Sequence, residues 1–201
     1  MRHERPVPIE REQLGFAAAA KSAFAFLLSH GFRVVDEQIT WVRYESNILF
    51  VNVYHGRSSY ELGLEVGVLQ NEQPEVGYPM SALLQLDDAA EAARYLDRTA
   101  ITTGGVQAGL SDLSEKARAL GLPERARDRD FFTTLARQRR ERVEAYHFDA
   151  VAARTRPAAE DAFRKKNYAL AADLYDGMWH RLSPTEEKKL AYARKHAKRT
   201  T

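Results

Sequence analysis

From Tyr60 to Val68 the chain alternates without a break, setting Tyr60, Leu62, Leu64, Val66 and Val68 against Glu61, Gly63, Glu65 and Gly67. A period of two sends successive side chains to opposite faces of a strand, so this run commits the chain to a sheet with one apolar face. Two shorter runs precede it. Leu49, Val51 and Val53 alternate with Phe50, Asn52 and Tyr54, and Val42 and Tyr44 alternate with Arg43 and Glu45. Phe32, Val34 and Ile39 begin the pattern. Ser46-Asn47 and His55-Gly56-Arg57-Ser58 are turn signals between runs. Short turns between consecutive strands give an antiparallel meander of three to four strands. Its outer face carries Arg43, Glu45, Asn52, Glu61 and Glu65, and the outward Gly63 and Gly67 are expected to leave the backbone bare there.

A half-apolar sheet needs a cover. Residues 1 to 8, with two prolines, read as a loose lead-in. From Ile9 to Ser29, Leu14, Phe16, Phe24, Leu27 and Leu28 fall near helical spacing around the Ala17 to Ala20 run, and His30-Gly31 is a suitable stop. After the sheet, Asn71 to Pro79 reads as a polar loop, and Ser81 as the cap of a helix through Leu86. A further helix is expected over Asp87 to Thr99. Thr102-Thr103-Gly104-Gly105 is the strongest internal break, placed between a helix-plus-sheet unit, 1–103, and a helical region, 104–201. Beyond it the chain reads as helix from Val106 to Leu120. A longer helix follows from about Asp128 to Arg154, broken at Pro157. In that longer helix Phe132, Leu135, Val143, Tyr146 and Ala150 form a stripe expected to be buried, with Arg137, Arg139, Arg140 and Arg142 on the other face. The fold class is therefore α+β, an N-terminal helix on an antiparallel meander followed by an all-helical C-terminal region.

Residues 158 to 196 carry Ala162-Phe163, a turn at Asn167-Tyr168, then Ala171 and Tyr175, with Leu182-Ser183-Pro184 before a last helix. Small Ala171 lets two helices approach, while Phe163, Tyr168, Leu174 and Tyr175 fill the seam. This stretch resembles a single tetratricopeptide-type helical hairpin, and the resemblance implies protein or peptide binding. The plainer alternative is a compact end-cap packed on the preceding helix, since one such unit makes no solenoid. The whole chain, a helix, a meander and a helical tail, is similar to some small bacterial immunity proteins of toxin–antitoxin and contact-inhibition systems.

Several chemistries are excluded or disfavoured. There is no cysteine, which removes disulfides, thiolate metal sites and a cysteine nucleophile. The six histidines include no pair with the spacing of a zinc protease. Glu61 and Glu65 stand roughly 13 Å apart along a strand, too far for a glycosidase pair. Neither is followed two positions later by the lysine of a restriction-type nuclease. His55-Gly56-Arg57-Ser58-Ser59 leads into a strand, whereas a phosphate loop leads into a helix. No catalytic residue, cofactor or metal site is assigned. The run from Leu14 to Leu28 is too short and too interrupted to span a membrane, and Glu4, Glu10 and Glu12 spoil a signal peptide, so a cytoplasmic protein without a membrane partner is expected.

Charge divides unevenly. The first hundred residues have a net charge of −5 and the remainder +7. The expectation is a non-enzymatic protein-binding module whose acidic sheet face, through Glu45, Glu61 and Glu65 with Tyr54 or Tyr60 as anchor, meets a basic protein. The alternative is a nucleic-acid-associated protein using the basic helices, through Arg137, Arg139, Arg140 and Arg142.

Overall fold

The computed structural model describes residues 11–69, 75–125 and 128–197. The lead-in at 1 to 8 and part of the loop expected from Asn71 to Pro79 fall outside them. Two compact units are present, residues 1–135 and 136–201.

The first unit is the helix-on-meander. A short 3-10 turn, Arg11–Leu14, leads into α1 (Phe16–Ala23) and then α2 (Phe26–Ser29), so the expected single helix is interrupted around Phe24 and Ala25. His30 ends α2, and Gly31 takes the left-handed φ of 87° that turns the chain into the sheet. Strands β1 (Arg33–Gln38), β2 (Trp41–Glu45), β3 (Leu49–His55) and β4 (Glu61–Val68) follow as an antiparallel meander. The short strand β5 (Tyr78–Pro79) adds to β4. Helices α3 (Met80–Asp87) and α4 (Ala89–Arg94) come next, then β6 (Arg98–Thr99), which also pairs with β4. Among the described residues the sheet thus has six strands, two of them two residues long.

Inner-face Val42, Tyr44, Val51, Val53, Leu62, Leu64 and Val66 are buried, as are Phe16, Ala20, Phe24 and Leu27. Helix α5 (Thr103–Ala119) lies against α1 and β4 and buries Val106, Leu110 and Leu113. Tyr44 sends its hydroxyl to the Ala20 carbonyl at 3.2 Å, tying sheet to helix.

Three expectations change here. The helix expected over Asp87 to Thr99 stops at Arg94, because Arg98 and Thr99 are drawn into pairing with Leu62 and Glu61. Ser81 lies inside α3, whose N-cap is Pro79. The Thr102 to Gly105 stretch is a helix start: Thr102 Oγ1 accepts from the Gly105 N–H at 3.1 Å, and α5 then packs back onto the helix-and-sheet core. The contact division accordingly falls after Leu135, well beyond residue 103. Helix α6 (Leu122–Arg125) completes the run toward α7.

Helix α7 (Arg129–Arg164) contributes to both units. It continues through Pro157, contrary to the expected break. Pro157 and Ala153 are both exposed, so the carbonyl four residues before the proline lies on the wet side of the helix. In the second unit α7 is joined by α8 (Tyr168–Asp176) and α9 (Pro184–Ala197) around Ala152, Ala159, Ala162, Ala171, Tyr175, Met178, Leu190 and Ala193. Lys166 at φ 60° makes the α7–α8 turn, and Asn167 caps α8 through Leu170 N–H at 3.3 Å. Ser183 and Glu186 form a reciprocal capping box on α9. Ser183 N–H donates to Glu186 at 2.7 Å, and Glu186 N–H donates to the Ser183 hydroxyl at 3.3 Å. Glu186 is buried and also receives Arg156 Nε at 2.6 Å. Tyr175 and Lys189 both reach Glu160, at 3.0 and 2.5 Å.

The expected apolar stripe on α7 divides. Leu135 is buried and Phe132 meets Tyr78, with ring centroids 6.2 Å apart. Val143 and Tyr146, by contrast, are 61% and 76% exposed, and Ala150 is exposed too. Within the second unit α7 is buried through its alanines instead, since only small side chains let α8 and α9 approach closely. Among the described residues no helix is long and apolar enough to cross a membrane.

Candidate functional site

The outer face of the sheet is where the sequence concentrates its carboxylates. Its rows follow from register: Trp41, Arg43 and Glu45 on β2 stand opposite Tyr54, Asn52 and Phe50 on β3, which stand opposite Gly63, Glu65 and Gly67 on β4. The two glycines are not bare, contrary to expectation. The Tyr54 ring lies over Gly63 and the Phe50 ring over Gly67, each covering its direct cross-strand partner. A glycine gives a neighbouring ring room to lie flat on the backbone, so Phe50 is only 1% exposed on a face without a covering α1. The Val76 carbonyl also lies within van der Waals reach of Gly67, and Gly77 meets the Glu65 carboxyl group, so the segment ahead of β5 seals this end.

Arg43 organises the middle of the face. Its guanidinium sits 4.4 Å from the Phe50 ring centroid, donates to Glu45 at 2.7 Å and grips both oxygens of Glu75 at 2.9 and 2.8 Å. Burial works against its charge, but Glu45 and Glu75 outweigh it, and the group is held above its ordinary pKa. Glu45 is therefore already neutralised within the fold.

The β4 end differs. Glu65 accepts from the Asn52 amide at 2.7 Å, Asn52 being 3% exposed. Pairing of β6 with the start of β4 sets Thr99 opposite Glu61 and brings in Asp97 just before it. Loss of water raises the Asp97 pKa; a hydrogen bond with Tyr95 opposes the rise and the Glu61 charge adds to it. Tyr54 is pushed up to about 12, first by burial and then by Asp97, Glu65 and Glu61. Three carboxylates thus act on one tyrosine, and among the described residues none of them is paired with a cation. Leu96, beside them, is 85% exposed. Trp41 stacks on Tyr54 at 6.4 Å, and together they line an open concavity of about 490 Å³ whose charges, Asp36 against Arg43 and Arg57, are mixed.

Of the residues expected to make contact, Glu61, Glu65 and Tyr54 come together, and Glu45 is tied to Arg43. Tyr60 belongs elsewhere. Its backbone is left-handed at φ 57°, its ring meets buried His55 at 5.6 Å, and Arg11 lies 4.0 Å over it. Asp97 was missed because Tyr95 to Thr99 reads as the end of a helix, and Leu96, expected with Ala90, Ala93 and Tyr95 on that helix's buried side, is instead exposed, as are Ala90 and Ala93, because the helix stops at Arg94.

The four arginines of α7 are exposed but do not form one face. At ~100° per residue, Arg137 and Arg140 lie to one side of the helix and Arg139 and Arg142 to the other. Among the described residues no group of three or more histidine, aspartate or glutamate side chains could hold a metal ion. Comparison with known protein families, curated proteins and solved structures gives no match.

Proposed function

We propose that this chain is a non-enzymatic protein-binding module that docks a basic protein on the β4–β6 end of its outer sheet face, in the manner of an immunity or antitoxin-like protein. The observation that carries the reading is the set of Glu61, Glu65 and Asp97 around Tyr54, with no cation among the described residues paired to them. Burial and then the Glu61 charge raise the cost of ionising Asp97, and a partner's lysine or arginine relieves it. Exposed Leu96 and the Trp41–Tyr54 pair add the apolar contact that gives such an interface its lifetime. The excess of carboxylates steers a basic partner and raises its on-rate at low salt.

The test is capture from lysate of the source cells, with nuclease present, followed by affinity measurement on the purified partner. Glu61→Lys with Asp97→Lys is expected to weaken binding by more than tenfold. Glu115→Lys with Asp173→Lys, the same change of charge at other exposed positions, is expected to change it less than threefold. Equal effects of the two pairs would refute the site. A partner that is acidic would refute the reading of its chemistry.

A further inference from the structure

The exposed side of α7 in the second unit is a separate surface. At ~100° per residue, Arg139, Tyr146, His147, Ala150 and Arg154 all fall within about 60° of Val143, and Arg140 lies at the margin. Every one of them is exposed, with Tyr146 at 76%. The carboxylates of this stretch lie elsewhere on the helix. Glu141 and Glu144 are turned away by ~100° or more, and Asp149 is held by Arg181 Nε at 2.5 Å. The result is a stripe about 22 Å long from Arg139 to Arg154, at ~1.5 Å per residue, carrying arginines at both ends and an uncovered aromatic ring between them.

We infer that this stripe binds single-stranded nucleic acid. Among the described residues these arginines have no carboxylate partner on the same face, which suits phosphates, and charge of one sign rules out a second copy of the same stripe as occupant. Tyr146, exposed along the helix between those arginines, offers its ring to an unpaired base, a contact that a stacked duplex cannot offer. Val143 and Ala150 supply low apolar ground beside it. The assignment differs from a simple count of basic residues. Arg142 and Arg137 lie off the stripe, while Arg154, three turns further on, belongs to it.

The experiment uses the full chain and a fluorescein-labelled oligothymidylate of twenty nucleotides, read by anisotropy between 50 and 200 mM salt. With three arginines engaged, log K is expected to fall against log salt with a slope of about −2. Arg139→Glu with Arg154→Glu is expected to lower affinity at least tenfold. Lys188→Glu with Lys195→Glu, an equal charge change on exposed α9 positions, is expected to lower it less than threefold. Tyr146→Ala is expected to cost about fivefold or more. Circular dichroism of each variant checks the helices. Equal loss in the two charge variants would reduce the effect to net charge and overturn the inference. So would duplex binding as tight as the single strand, no loss in Tyr146→Ala, absence of oligonucleotide binding at 50 mM salt, or binding of phosphatidylserine vesicles in its place.

Discussion

Gly63 and Gly67 look equivalent in sequence, and the structure makes them unequal. The atoms nearest a methyl group added at Gly63 all belong to Tyr54, a side chain that can swing toward the open concavity beside it. The same methyl at Gly67 would meet the Phe50 ring and also the Val76 carbonyl, which is backbone. Relief there requires moving the segment that holds Glu75 against Arg43. Alanine in a strand gains roughly 0.5–1 kcal/mol over glycine through the unfolded state. Overpacking costs about 1–3 kcal/mol when the neighbours cannot yield. Gly63→Ala is therefore expected within about 1 kcal/mol of the parent, and Gly67→Ala about 2 kcal/mol less stable. At ~2–4 °C per kcal/mol for a chain of this size, the two melting temperatures should differ by several degrees. The assay is urea unfolding followed by tryptophan fluorescence in a Trp179→Phe background, which leaves Trp41 on the sheet as the reporter. Adding Phe50→Leu to Gly67→Ala removes one of the two clashes and should recover only part of the loss. Equal stabilities for the two alanine variants, or full recovery by Phe50→Leu, would refute the role given to the Val76 carbonyl.

Other outcomes are equally specific. His55 is buried, stacked on Phe16 at 5.7 Å and bonded through Nε2 to the Ala100 carbonyl at 2.8 Å; burial holds its pKa below the ordinary value. The unfolded chain therefore binds a proton below pH ~6.5 that the folded chain does not, and stability should fall as pH drops through 6.5, a slope that His55→Gln removes in urea titrations. Asp97 has the opposite sense. Its raised pKa means that stability is lost as pH rises above the ordinary carboxylate value, so Asp97→Asn should stabilise the fold at pH 7 by less than ~1 kcal/mol after solvent screening. Calorimetry with the variant at pH 4 and 7 checks this, and the same change should weaken capture of the basic partner. Glu186→Ala removes the carboxylate of a capping box and leaves Arg156, which is partly exposed, with only the Arg181 carbonyl; a loss of ~1–2 kcal/mol is expected in thermal melts followed at 222 nm, with Ser183→Ala costing ~1 kcal/mol.

The meander was legible because its period of two is uninterrupted from Leu49 to Val53 and from Leu62 to Val68, and its turns carry the residues turns require. The last helix was legible from Leu182-Ser183-Pro184 ahead of it, while the capping box between Ser183 and Glu186 emerged only in the structure. What escaped depends on contacts made at a distance. Arg98 and Thr99 have no strand pattern of their own and become a strand only because β4 offers its edge. Val143 and Tyr146 have helical spacing, but spacing cannot say whether anything covers them. Gly63 and Gly67 announce space on the outer face without revealing that Tyr54 and Phe50, in direct register, already occupy it. The acid cluster was half visible, since Glu61 and Glu65 share a strand face and Asp97 joins them only through β6.

The two ring-on-glycine pairs also leave an inheritable mark. Phe50 with Gly67, and Tyr54 with Gly63, are mutually dependent choices, because a side chain gained at either glycine displaces the ring opposite. In divergent descendants of this chain positions 54 and 63 should change together or not at all, a bulky residue at 63 going with a small one at 54, while 67 stays glycine because the Val76 carbonyl confines it too. Such paired exchange across two neighbouring strands would persist after surface residues had been rewritten. It offers a way to recognise distant kin where overall similarity has faded.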